Sequence, residues 1–270
     1  MNRPFLLAQL SDLHIKAEGE PLLGKIDTAA MLRACVSDVL ALRQQPDAVV
    51  ITGDLVDLGT ADEYAYLREL LAPLAMPLYV IPGNHDERRA LRAAFREHDY
   101  LGQSQHFIQY AIDDYPLRIV ALDTVIPGAS GGELCGERLE WLDRTLAQAQ
   151  DRPTAVVMHH PPFRTYIAHM DRFALRDPEP FAEVIAQHPQ VEAVLCGHVH
   201  RPIEMRFAGT IVSIAPSCAH QIALDLDADA PPCFVMEPPG YRLHAYSPDN
   251  GLVSHTAYIG NYPGPYSFRS

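Results

Sequence analysis

Leu78-Tyr79-Val80-Ile81-Pro82-Gly83-Asn84-His85-Asp86 is an apolar run of strand length, a Pro-Gly stop and then three polar side chains in a row. Pro and Gly end the strand. The polar triplet is either a turn held by Asx hydrogen bonds or a set of donor groups at the strand's carboxyl end. The same figure recurs on both sides. Upstream, the apolar run 5–10 ends in Ser11-Asp12-Leu13-His14, and the β-branched run 48–52 ends in Gly53-Asp54. Downstream, 155–158 ends in His159-His160, and 191–195 leads to Gly197-His198-Val199-His200.

The segments between these runs read as helices. In 27–44 the apolar residues Ala30, Met31, Ala34, Cys35, Val39 and Leu42 fall at helical spacing, with Asp27 or Thr28 as the cap and Pro46 beyond the end. Helices are also predicted over 61–71, with Asp62 and Glu63 in the first turn, and over 88–95, 137–149 and 181–187. Further strands are predicted at 107–112 and 117–122, as a hairpin at 203–207 and 210–214, and as a last antiparallel pair at 241–246 and 252–259. Residues 225–239, rich in Asp, Ala and Pro, read as a loop, and 260–270 as an aromatic, Pro/Gly-rich tail. Strands alternating with helices imply an α/β layered domain. No linker divides it.

Composition narrows the classes of function. With 48% hydrophobic residues and 20% charged, the chain has material for a sizeable core and is not disordered. Its 34 Asp and Glu against 21 Lys and Arg give a formal charge of −13, which argues against a nucleic-acid polymer or a membrane surface as partner. The five cysteines are odd in number and form no Cys-x-x-Cys pair, so reduced thiols in a cytoplasmic protein are expected. The amino-terminal apolar run is too short for a signal segment, and no run approaches the roughly 20 residues of a membrane span.

Six of the 13 histidines lie in or beside the five strand-end segments. In α/β sheets ligands bind beyond the carboxyl ends of the strands, so these segments are expected to converge on one rim. Asp12 and His14 are two residues apart, as are His198 and His200, and in extended chain such pairs share a face. Gly53, Gly83 and Gly197 permit sharp turns and close approach. Taken singly, each segment is an ordinary capped turn. As an ordered set of oxygen and imidazole donors with no thiol, they read as ligands for two divalent cations of the Mn, Fe, Co or Zn type rather than Ca²⁺. Two such ions beside one substrate point to phosphate-ester hydrolysis.

In this order Asp-x-His, Gly-Asp, Gly-Asn-His-Asp, His-His and Gly-His-x-His resemble the calcineurin-like metallophosphoesterases, over about residues 5–215. Gly24-Lys-Ile-Asp27, Arg43-Gln-Gln-Pro-Asp47, Pro77 to Asp86, Met170-Asp171, Ala219-His220-Gln221 and Tyr262-Pro-Gly-Pro-Tyr266 resemble its bacterial branch of class III cyclic-nucleotide phosphodiesterases and the glycerophosphodiesterase GpdQ. The resemblance implies a four-layer α-β-β-α sandwich of two mixed sheets. Residues 1–215 would be the dinuclear core, and 216–270 a small C-terminal extension, hairpin and tail, in the same structural unit. One metal would take Asp12, His14, Asp54 and His200, and the second Asp54, Asn84, His159 and His198, with Asp54 bridging. His85 is not a ligand in that pattern; it faces the phosphate and assists the leaving oxygen.

The expected activity is hydrolysis of a small phosphodiester, a 3′,5′-cyclic nucleotide such as cAMP or a glycerophosphodiester, by in-line attack of a metal-bridging hydroxide. The alternatives are a phosphomonoesterase of the same superfamily and a non-catalytic metal-binding scaffold. Asn84, His85 and His220 are the candidate substrate contacts. For His220 a surface or core role is the competing reading, and for His160 a role behind the ligands or in packing. Asp86 and Asp123 either orient ligand imidazoles or hold turns. Phe163, Tyr166, Met170 and Asp171 either cover the site or pack as an ordinary loop. His98, His106, His169, His188, His244 and His255 are read as ordinary core or surface residues. Members of the branch resemble dimers or higher assemblies built through the extension, and Tyr258, Tyr262, Tyr266 and Phe268 offer apolar surface either for such a contact or for packing within the chain.

Overall fold

The computed structural model describes residues 3–268, so the last two residues of the predicted tail lie outside the described residues. Along the chain run β1 (Phe5–Leu10), α1 (Thr28–Ala41), β2 (Ala48–Thr52), α2 (Ala61–Leu71), β3 (Leu78–Ile81), α3 (Arg88–Ala94), β4 (Tyr110–Ile112), β5 (Arg118–Ala121), α4 (Gly136–Ala147), β6 (Thr154–Val157), α5 (Ala168–Asp171) and α6 (Glu179–Ala186). The remaining strands are β7 (Val191–Cys196), β8 (Ile203–Phe207), β9 (Thr210–Ile214), β10 (Gln221–Ile222), β11 (Phe234–Val235), β12 (Gly240–Ser247) and β13 (Gly251–Tyr258).

The large strands form two mixed sheets, ordered β13-β12-β1-β2-β3 and β4-β5-β6-β7-β9-β8. Strands β1, β2 and β3 are parallel, as are β5, β6, β7 and β9. The second sheet shows how sequence becomes layers. Ile119, Ala121, Ala155, Val157, Ala193 and Leu195 join the core shared with the first sheet. Their neighbours Val120, Leu122, Val156, Met158, Val194 and Cys196 face the other way, onto Leu142 and Leu146 of α4 and Phe181 and Ile185 of α6. This alternation is the two-residue period of a strand buried on both faces. On the first sheet, Leu32, Val36 and Val39 of α1 and Tyr64, Leu67 and Leu71 of α2 cover the outer side. The result is the expected α-β-β-α sandwich. Each fully buried Leu or Val contributes roughly 1.5–3 kcal/mol.

Local signals set the helix starts. The Asp27 carboxylate accepts from Ala30 N at 2.9 Å ahead of α1. Thr60 and Glu63 make a reciprocal capping box at α2.

The structure departs from the sequence-based elements at several places, of which three bear on the layers and the site. Strand β4 begins at Tyr110 rather than at 107, because Ile108 N donates to the Asp123 carboxylate and the Phe107 ring lies under the Arg138 guanidinium, 4.6 Å from its centroid. Within the predicted loop 225–239, Phe234–Val235 pairs with Gln221–Ile222 as a separate small ribbon. The short helix α5 has only one turn, too little for periodicity to reveal. The C-terminal hairpin pairs β12 with β1 antiparallel, so residues beyond 216 supply strands of the first sheet next to its first strand. Among the described residues no helix is long and apolar enough to cross a membrane.

Candidate metal centre

Strands β1, β2 and β3 of one sheet and β6 and β7 of the other end at a common rim. The ladder continues past the strands: Asp12 N donates to Gly53 O at 3.1 Å, His14 N to Asp54 O at 3.0 Å and Gly197 N to His159 O at 3.0 Å. These bonds carry the strand-end segments together. Asp12, His14, Asp54, His198 and His200 all adopt positive φ, between 45° and 72°. Each such backbone costs about 1–3 kcal/mol in isolation. The pairs at i and i+2 therefore converge through left-handed turns, not through the extended chain expected from their spacing.

Close approach requires the glycines. A Cβ on Gly53 would lie 2.4 Å from His159 Nδ1, one on Gly83 2.2 Å from Asp54 Oδ1, and one on Gly197 2.1 Å from Ser11 Oγ.

The donor atoms fall into two groups around Asp54 Oδ2. His14 Nε2 is 3.6 Å from it, and His14 Nε2 in turn lies 3.2 Å from His200 Nε2, which is 3.4 Å from Asp12 Oδ1. On the other side His159 Nε2 is 3.4 Å from Asp54 Oδ2 and 3.1 Å from Asn84 Oδ1. His198 Nδ1 lies 3.1 Å from Asn84 Oδ1 and 3.3 Å from His159 Nε2. Ligands about 2.1 Å from one ion are separated by roughly 3.0–3.4 Å, in octahedral or tetrahedral geometry. All the observed edges but one fall in that range, and His14 Nε2 to Asp54 Oδ2, at 3.6 Å, lies just above it. Imidazole lone pairs facing each other at such distances repel unless a proton or a cation lies between them. The donor sets therefore fit metal ions, and all but Asn84 also fall in compact His/Asp groups with a metal-ligand arrangement.

The outer ring nitrogens fix the tautomers. His159 Nδ1 donates to Thr52 O at 2.8 Å, and His200 Nδ1 donates to His220 O at 3.0 Å, leaving each Nε2 lone pair turned inward. Protons partly stand in for cations. Burial alone would raise Asp54, but His159 outweighs it and holds the carboxyl well below the usual range. Burial, with the Asp54 charge, lifts Asp12. Burial pushes His159 down, yet the charge and hydrogen bond of Asp54 prevail and hold it up at about 9. Burial and the neighbouring His14 keep His200 down at about 3.

This pairing makes stability depend on pH. The folded His159 titrates above its ordinary value near 6.5. Its contribution to stability is complete below pH 6.5 and is lost as pH rises through about 9. Chelator-treated protein should show a falling melting temperature across this window, followed by scanning fluorimetry. A flat profile would contradict the Asp54–His159 pair.

His85 lies at the mouth, half-exposed, with Nδ1 donating to Asp57 O at 2.8 Å and its ring edge-on to His14 at 4.6 Å. His220 is buried against His200, ring centroids 4.6 Å apart. His160 is a loop anchor: Nδ1 meets Thr124 Oγ1 at 2.8 Å and Nε2 meets Ser130 O at 3.1 Å. Asp86 and Asp123 hold turns. Asp86 accepts from Gly83 N, Leu55 N and Tyr64 Oη, and Asp123 accepts from Arg88, Ile108 N and Val125 N. Asp171 accepts from Thr165 and Tyr166 in its own loop, and Phe163 belongs to the second core.

Sequence reasoning missed Asp57. Its carboxylate lies 3.6 Å from His14 Nδ1, 3.5 Å from His85 Nδ1 and 3.2 Å from Lys16 Nζ. Its place three residues after Asp54 was the available signal. A cavity of about 280 Å³ opens over the donors, walled by Leu22, Leu23, Met170, Phe173 and Ile222, with Ser130, His85 and His220 as polar additions. Among the described residues no Lys or Arg lines it.

Residues 5–202 match the family model described as calcineurin-like phosphoesterase. The chain is 41% identical to a probable glycerophosphodiester phosphodiesterase GpdQ of Arcobacter nitrofigilis, over 97% of this chain and 96% of that one. It is 36% identical to the 3′,5′-cyclic adenosine monophosphate phosphodiesterase CpdA of Pseudomonas aeruginosa, over 81% and 78%. A dimetal phosphatase from Danio rerio shares the fold, with TM-score 0.69 at 15% identity, covering 96% of this chain and 100% of that one.

Proposed function

The chain belongs to the calcineurin-like phosphoesterase family and is a metal-dependent phosphodiesterase; we propose that it cleaves small phosphodiesters, 3′,5′-cyclic nucleotides or glycerophosphodiesters, at the site around Asp54. Two donor sets meet at Asp54 Oδ2 beneath a cavity without a Lys or Arg lining, and this carries the proposal. A diester brings one negative charge, whereas a phosphate monoester carries about 1.5 to 2 at neutral pH. A cavity with no Lys or Arg among its described lining residues suits the diester. The nearby Lys16 is engaged with Asp57 and Glu63.

We assign two divalent cations per chain, one to Asp12, His14, Asp54 and His200 and the other to Asp54, Asn84, His159 and His198. Mixed nitrogen and oxygen donors favour Mn, Fe, Co or Zn. When bound, such a pair neutralises phosphate charge and supplies an activated water for in-line displacement. The chain's own residues bind and orient. Asp12 and Asp54 bring two negative charges to the donor sets, and Asn84 completes one of them without adding a third. His85, with Nδ1 held on Asp57 O, has Nε2 left for the phosphate. When protonated, that nitrogen donates to the departing oxygen. His220 and Asn84 bound the substrate, and Leu23, Met170 and Phe173 face its alcohol.

His85→Ala is expected to retain both cations and to lose turnover by about 10²-fold or more. Metal content and initial rates check this; loss of metal would make His85 structural. The substrate proposal is tested with bis(p-nitrophenyl) phosphate against p-nitrophenyl phosphate, on stripped enzyme and after Mn²⁺ or Zn²⁺ is restored. Metal-dependent preference for the diester is expected, and preference for the monoester would overturn it.

Residues 216–270 act with the 1–215 core, contributing His220 to the site. Tyr258, Tyr262, Tyr266 and Phe268 are exposed in the single chain and are assigned to contact between copies, which a single 30 kDa species in light scattering would remove. The free cysteines favour a reducing compartment, the cytoplasm.

A further inference from the structure

A polar chain, buried except at its Ser254 end, crosses the molecule between its two sheets, away from the cavity. Gln9 on β1 and His244 on β12 are diagonal neighbours, since the register pairs Gln9 with Arg242 and Leu7 with His244. Both are 0% exposed. His244 Nε2 lies 3.0 Å from Gln9 Oε1, and its Nδ1 lies 2.7 Å from Ser254 Oγ. Gln9 Nε2 donates to Cys196 O at 2.9 Å, across to the other sheet, and to Thr52 Oγ1 at 3.1 Å.

With a neutral His244 ring, the donors and acceptors admit one arrangement. Cys196 O only accepts, so the Gln9 amide nitrogen must point to it and the amide oxygen to His244. His244 must then carry its proton on Nε2 and accept from Ser254 on Nδ1. Burial and the Arg242 charge keep His244 down at about 3, consistent with a neutral ring. Cys196 O also takes Ala215 N at 2.9 Å, so Gln9 fills its second lone pair.

The ends of this strut matter. Cys196 is two residues before His198, and Thr52 is two before Asp54. Thr52 O is also the group that holds His159 Nδ1. The strut thus joins the strand end that carries Asp54 to the strand end that carries His198, where donors from the two sheets meet. We propose that Gln9, oriented by His244, is a positioning residue that sets the spacing of the two sheets at the Asp54–Asn84–His159–His198 donor set. This rests on the metal-site assignment above. A buried amide and imidazole are costly in a core that apolar residues would fill without penalty, and a fully satisfied network gives one defined spacing in return.

The test is a competition titration of Mn²⁺ or Zn²⁺ against a chromophoric chelator, with metal content measured in parallel. Wild type should bind two cations per chain. Gln9→Met, of similar volume and without hydrogen bonds, should bind one as wild type and the other about 10-fold or more weakly. His244→Leu should do the same, and His244→Gln, which keeps a donor near the Nε2 position, should restore the affinity. Wild-type affinities in both Gln9→Met and His244→Leu would overturn the strut. If Gln9→Met does not fold, the two His244 variants decide. A wild type that binds fewer than two cations would overturn the site assignment itself, and the strut with it.

Discussion

Asp54→Asn is expected to lose both cations and to lower phosphodiester hydrolysis by about 10³-fold or more. Asp54 Oδ2 lies near both donor sets, 3.6 Å from His14 Nε2 and 3.4 Å from His159 Nε2. Asparagine keeps the shape and leaves an oxygen for His85 N, which donates to Asp54 Oδ1 at 2.9 Å. The fold should therefore persist while the shared negative charge is gone. Bound cations supply several kcal/mol to the transition state, and each 1.36 kcal/mol is a factor of ten in rate. Metal content after gel filtration and initial rates on a diester are the measurements. Two retained cations, or a rate within tenfold of wild type, would remove Asp54 from the bridging role.

Gly53→Ala should be among the most damaging single-methyl additions at the described glycines, because crowding and backbone strain coincide there. Gly53 has φ +92°, a backbone that alanine adopts only under strain. Its new Cβ would lie 2.4 Å from His159 Nδ1 and 2.8 Å from the Gly83 backbone, with no flexible side chain to yield. Overpacking costs about 1–3 kcal/mol and the left-handed backbone about 1–2 more. At about 2–4 °C per kcal/mol for a domain of this size, the melting temperature should fall by roughly 4–20 °C. Metal binding should weaken too, because relief requires His159 to move off Thr52 O. The control is Gly19→Ala, also at positive φ but with open space around its Cβ. Equal losses in the two variants would mean that backbone strain, not the crowding of His159, is responsible.

Much of this molecule is written locally. The runs at Phe5–Leu10, Ala48–Thr52 and Leu78–Ile81 are apolar because both faces are buried, and Pro82-Gly83 ends its strand wherever it occurs. The donors are legible because chemistry restricts them to a few residue types at strand ends. Other features depend on what folds nearby. Asp57 looks like any loop acid until the turn after β2 sets it between His14 and His85. His244 reads as an ordinary histidine because its partner Gln9 is 235 residues away in sequence. Phe107 reads as strand, but its neighbour Ile108 is claimed by Asp123 and its ring by Arg138. The left-handed turns at the candidate ligands replace the extended backbone suggested by the i and i+2 spacing; Asp and His are among the non-glycine side chains that adopt that region most readily, yet spacing alone does not announce it.

The placement of β12 beside β1 has a consequence for biosynthesis. Strand β1 is translated long before its partner β12, and until residues 240–247 emerge β1 has one open edge. Every candidate ligand precedes residue 201. A nascent chain thus carries its whole complement of donors while the sheet that aligns them is still unfinished. Pairing between strands so far apart in sequence is slow, and a partly built sheet with a free edge is the aggregation-prone species that chaperones guard. Activity should therefore appear with the closing hairpin rather than with the last ligand, and the yield of active enzyme should depend on how quickly that hairpin docks.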